Sequence, residues 1–272
     1  MGVYGLTSFT GAPGVTTTAV AWAYLTDRPT LVVEADNTGG SPILAGAFRA
    51  TQPHDRSVLQ LSARPAGMTL VDHLWALTLT FPGQEDRYLL PAVAEPQQAG
   101  SLRGLWEPLG RAFQHVSSQG GYDVLVDLGR FPHAPAYQGL LQHLDALAVF
   151  VPAHLPGINS AAIDMPRLRD TLGEITGGTS ETTRIGVVLT GSPGSTYGTG
   201  EAGKALAPVP VLTTLPHDPA AAGVYHRGDP APRSPIPGRD PSATYRKAVT
   251  VLAAAVRAQA TTYAQTMKGE SA

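Results

Sequence analysis

The chain has 272 residues, 43% hydrophobic and 15% charged, with a formal net charge of −2, which is enough apolar content for one large core and no general field for nucleic acid. It has no cysteine, which excludes disulfides, thiolate metal sites and cysteine catalysis. Met1 to Leu6 carry no positive leader, and no run reaches the roughly 18 apolar residues of a membrane span. A cytoplasmic protein with no transmembrane segment is expected, reaching a membrane or cell pole only through a partner. With no long polar break, residues 1–272 read as a single domain.

Short β-rich apolar runs recur at Val3–Phe9, Thr30–Glu34, Tyr88–Val93, Val124–Asp127, Leu147–Val151, Ile185–Leu189 and Val211–Thr214. Helix-patterned stretches lie between them. This alternation predicts an α/β fold, a doubly wound, mainly parallel sheet of about seven strands with helices on both faces. Leu102, Leu105, Leu109, Phe113 and Val116 share a helical face, which Pro108 should kink or split. Ile158, Ala162, Met165, Leu168 and Leu172 mark another. Residues 228–241 are too proline-rich for helix or central strand and read as an extended connector. They lead into a C-terminal helix, 242–267, with Ser242 as N-cap and a core stripe from Tyr245 through Val249, Leu252, Val256 and Ala260 to Tyr263 and Met267.

Three segments carry the chemistry. Thr10-Gly11-Ala12-Pro13-Gly14-Val15-Thr16-Thr17 joins the first strand to a hydroxyl-rich helix start, so backbone N–H groups and the positive end of a helix dipole face one point, as a phosphate requires. Leu31–Asp36 and Tyr122–Gly129 are apolar strands that deliver Glu34, Asp36 and Asp127 to their carboxyl ends. Taken singly, each also suits an ordinary turn or strand end of any α/β protein.

In this order and spacing the segments resemble the MinD/ParA (SIMIBI-type) group of deviant P-loop ATPases, whose loop reads Lys-Gly-Gly-x-Gly-Lys-Thr-Thr. Gly11 and Gly14 fall on its glycines and Thr16 on its magnesium-binding hydroxyl, but Val15 stands at the phosphate lysine and Thr10 at the signature lysine. Asp36 matches the acid that positions the attacking water, with Glu34 replacing the acid before it, and Asp127 matches the Walker B acid. Pro216 and Asp218 match an "IPxD" element near the adenine. The resemblance thus implies a nucleotide site of Gly11, Ala12, Pro13, Gly14, Val15, Thr16, Thr17, Pro216 and Asp218, with Thr16 and Asp127 on the metal and Asp36 catalytic. With both lysines gone, ATP or ADP with Mg²⁺ should bind weakly or not at all, and hydrolysis should be negligible. The likeness runs from residue 3 to about residue 265 and is least over 50–98, where relatives often place partner contacts.

A degenerate member of this kind resembles the CpaE/TadZ-type pilus-localisation proteins. The resemblance implies a homodimer independent of ATP, acting as a localisation or assembly adaptor with a protein partner from a pilus, secretion or partition system. The alternative is an active ATPase for DNA partition or positioning with a non-standard P-loop. An enzyme of the same superfamily, such as a biotin- or cobamide-pathway ligase, ranks last because it too needs the lysine. Gly198-Thr199-Gly200-Glu201-Ala202-Gly203-Lys204 mimics a phosphate loop, but Ala205 follows where a hydroxyl is needed, so a loop and short helix are expected. The eight histidines show no zinc spacing. Arg233, Arg239, Arg246 and Lys247 form a modest basic cluster that reads first as a solvated helix face, with nucleic-acid binding as the weaker alternative.

Overall fold

Each apolar run is a strand in the computed structural model of the protein, which describes residues 1–11, 14–36, 38–131, 137–176, 184–195 and 197–270. The strands are β1 (Val3–Ser8), β2 (Thr30–Glu34), β3 (Leu79–Thr80), β4 (Arg87–Leu90), β5 (Asp123–Arg130), β6 (Ala146–Pro152), β7 (Ile185–Thr190) and β8 (Val211–Leu215). They form one sheet in the order β3-β4-β2-β5-β1-β6-β7-β8, in which every pairing is parallel except β3 with β4. The strand beyond the expected seven is β3, an edge piece of two residues and too short to leave a pattern in the sequence.

Nine helices cover the sheet among the described residues: α1 (Val15–Leu25), α2 (Pro42–Ala45), α3 (Leu70–Leu77), α4 (Trp106–Ser118), α5 (Gln138–Leu141), α6 (Leu155–Thr176), α7 (Thr199–Ala205), α8 (Pro219–His226) and α9 (Ala243–Glu270). The inner faces of α1, α2, α8 and α9 pack on one side of the sheet, around Trp22, Ile43, Tyr225 and Val249. Those of α3 to α7 pack on the other, around Leu74, Phe113, Leu140, Leu168 and Ala202. Strands covered on both faces have no solvent side, which is why their residues form unbroken apolar runs.

The helix expected from Leu102 begins instead at Trp106 and runs through Pro108 without a kink or split. Leu102 closes a 3₁₀ turn (Pro96–Leu102), and α4 begins at Trp106, so Pro108 falls in the first helical turn, where its missing N–H costs nothing. In α6 Ile158, Met165, Leu168 and Leu172 are buried as expected, Ala162 packs partly buried against the same core, and Ala161 is buried beside it. Residues 228–241 hold no helix or strand, and the last helix then buries Tyr245, Val249, Leu252, Val256 and Ala260, while Met267 is exposed. The expected phosphate-loop mimic is the short helix α7.

At the amino ends of the strands a buried ion pair fastens α9 to the sheet. Asp123, fully buried at the start of β5, accepts from Arg257 Nε at 2.8 Å, and the Arg257 guanidinium lies over the Trp22 ring, itself stacked on Tyr4. No helix among the described residues is long and apolar enough to cross a membrane. The carboxyl ends remain open, and β1 sits there between β5 and β6. Its own connection runs toward β2, whereas β5 passes across it to β6, and this reversal is where open α/β sheets place ligands.

Candidate functional site

The loop after β1 is anchored by its own side chains. Ser8 Oγ donates to the Thr10 carbonyl at 2.9 Å, and Gly14 turns the chain into α1 with φ of 89°, a conformation that suits glycine. The start of α1 has no side-chain cap and no acid in its first turn, and its first full backbone bond runs from Thr18 N–H to Gly14 O at 2.9 Å. The amides of Val15, Thr16 and Thr17 therefore lack intrahelical acceptors and give the loop a positive mouth. Ala12 and Pro13, expected to share this role, lie outside the described residues.

Val15, at the position of the resembled phosphate lysine, is buried to 6% exposure in the apolar layer beneath α1. Thr16, next to it, donates from Oγ1 to Asp127 Oδ2 at 2.5 Å, joining the helix start to the end of β5. Asp127 Oδ1 accepts the Gly129 N–H at 3.0 Å. Burial pushes its carboxyl up to about 6, with the charge of Asp36 adding to the shift and the bonds from Thr16 and Gly129 opposing it. Thr16 and Asp127 offer hard oxygen donors side by side, and that donor set fits Mg²⁺, which keeps most of its coordination as water. These two residues would hold the ion. Among the described residues no group of three or more His, Cys, Asp or Glu could hold a metal by itself.

Asp36 accepts the Thr38 N–H at 2.9 Å, and its carboxylate lies against Gly129. It helps to line a cavity of about 530 Å³ with Gly14, Val15, Thr16, Thr17 and Arg130. On the other side of the loop a second cavity, of about 340 Å³, lies beyond the ends of β6, β7 and β8, between Thr190, Pro216, His217, Asp218 and Tyr245. Both cavities touch Gly11, Gly14 and Thr17, so the loop is the ridge between them. Asp218 also N-caps α8, accepting the Ala221 N–H at 2.9 Å.

Every described residue of the predicted site except Asp127 lines one of these cavities, and Asp127 touches them through Thr16. Glu34 does not take part. It is fully buried, accepts from the Ser41 hydroxyl and from the Ile43 and Ala92 amides, and ties β2 to the N-cap of α2. Lys204 lines neither cavity. Sequence reasoning passed over Gly129 and Arg130. Their signal was a glycine and a cation two and three places beyond Asp127, and the side they face depends on the register of β1 with β5.

No family model and no curated protein matches the sequence. In three dimensions the chain is similar to a ParA family ATPase from Chlorobium tepidum TLS, with a TM-score of 0.65 and 18% identity over 96% of each chain. It is equally similar to the Pyrococcus furiosus cell division ATPase MinD, with a TM-score of 0.65 and 18% identity over 93% of this chain and 98% of that one. The MinD of Pyrococcus horikoshii OT3, complexed with Mg-ADP, gives a TM-score of 0.60 and 15% identity over 91% and 93%. The fold is therefore the α/β fold of the MinD/ParA P-loop ATPases.

Proposed function

We propose that this protein is a localisation or assembly adaptor on the MinD/ParA fold, with a nucleotide site that binds weakly and hydrolyses little or nothing. The observation that carries this reading is Val15, buried where the family's phosphate lysine would stand, with no lysine among the described residues that line either cavity. A charged hydrogen bond to phosphate contributes about 1.5–3 kcal/mol, so its loss weakens binding on the order of 10- to 150-fold. The uncapped start of α1 and the Thr16–Asp127 pair still suit a magnesium nucleotide of the kind held by the Pyrococcus horikoshii protein. Catalysis needs more, because charge developing on the transferred phosphate must be met by fixed cations. Thr10 and Val15 supply none, and Arg130 is the one Lys or Arg on the cavity walls among the described residues, where the resembled loop carries two lysines.

In this reading the chain works as a homodimer that closes without ATP and brings a protein partner of a pilus, secretion or partition machine to its place. Phosphate release from Mg-ATP tests the catalytic part. The native protein should release no more than the buffer blank, whereas steady turnover abolished by Asp36→Ala would overturn it. A second reading, a working ATPase for partition or positioning, is favoured by Asp36 lying in the same cavity as Thr16, and that outcome would put it first.

A further inference from the structure

The pairing of β1 with β5 slips by one residue just past Asp127. Leu6 stands opposite Asp127, but Ser8 stands opposite Arg130, so two steps along β1 match three along β5. The extra residue makes a bulge at Gly129, whose φ is 61°. In a regular strand Arg130 would point to the face opposite Asp127. The bulge returns it to the same side, toward α1 and the loop. There its guanidinium rests on Gly11: a Cβ built on Gly11 would overlap Arg130 Nη2.

Three facts give this arginine a purpose. Arg130 is the one Lys or Arg side chain among the described residues that line either cavity. It is exposed, and no carboxylate among the described residues pairs with it, although Asp36 lines the same cavity. Its planar fork of N–H donors matches phosphate oxygens. We infer that Arg130 is the phosphate-binding cation of this chain, reaching the loop from the end of β5 in place of the lysine missing at Val15, with a nucleoside di- or triphosphate as its ligand. This rests on the reading of the loop as a nucleotide site.

The test is titration of the full chain with Mg-ADP, comparing native protein with Arg130→Ala, Arg130→Lys and Thr16→Ala. Arg130→Ala should weaken binding roughly tenfold or more at an unchanged melting temperature, because the side chain is exposed and unpaired. Arg130→Lys should recover part of the loss, and adding Val15→Lys to Arg130→Ala should recover most of it. If Arg130→Ala binds like the native protein while Thr16→Ala does not, the inference is overturned and the nucleotide site stands. If neither substitution changes the affinity, or the native protein gives no signal at millimolar Mg-ADP, both the inference and the site reading on which it rests are overturned.

Discussion

The Thr16 hydroxyl donates to the Asp127 carboxylate at 2.5 Å, so the first turn of α1 and the end of β5 meet at one pair of oxygens. A magnesium ion bound there would draw on both groups. Nucleotide affinity should therefore rise with Mg²⁺ in the native protein, while Thr16→Ala and Asp127→Asn should each lose about tenfold or more of the magnesium-dependent part. Titrations with and without a chelator check this. Equal magnesium gains in all three proteins would move the ion elsewhere.

Glu34 sets a pH dependence of stability. Burial raises its carboxyl from 4.5 to about 8, the charge of Asp127 adds to the rise, and the bonds from Ser41, Ile43 and Ala92 oppose it. The folded chain thus keeps a proton that the unfolded chain releases, so the stabilisation is full below about pH 4.5 and is lost as pH climbs toward 8. Asp127 acts in the same sense between 3.8 and about 6. Unfolding free energies from denaturant titrations should fall from pH 5 to pH 8, by up to about 1.4 kcal/mol per pH unit for one such group, and Glu34→Gln should flatten the curve. A native stability that rises over that window would contradict the assignment.

Gly129 carries two burdens. Its φ is 61°, and an added Cβ would overlap the Asp36 carboxylate. Gly83 has a comparable φ of 70° but open space around it. Gly83→Ala should cost about 1 kcal/mol for backbone strain alone, while Gly129→Ala should cost about 2–3 kcal/mol and displace both Asp36 and Arg130. Thermal melts of the two variants give the comparison, and equal losses would show that Asp36 yields freely.

Asp123 answers for the opposite end of the sheet. Its buried carboxylate meets Arg257 Nη2 at 2.6 Å and Arg28 Nη1 at 4.0 Å. Asp123→Ala leaves the Arg257 charge without its partner and should cost about 3–5 kcal/mol, with nucleotide affinity unchanged in protein that remains folded.

The fold was legible because parallel strands buried on both faces leave unbroken apolar runs, and helices between them keep a 3.6-residue period. The β3 edge strand was not, since two residues carry no periodicity. Among the candidate site residues, Thr16 stood out by its place at a helix start, and Asp36 and Asp127 by following apolar runs. Glu34 misled, because an acid at a strand end reads alike whether it faces a ligand or, as here, a buried helix cap. Arg130 stayed hidden because the side it faces depends on a one-residue bulge, and period-two reasoning assigns it to the wrong face.

Calorimetric titration with Mg-ADP and Mg-ATP of the native protein and of Val15→Lys shows directly how far the missing lysine weakens the site. Native binding should be weak, with a gain of roughly 10- to 100-fold in the variant. Micromolar binding by the native protein with no gain from the added lysine would contradict this expectation.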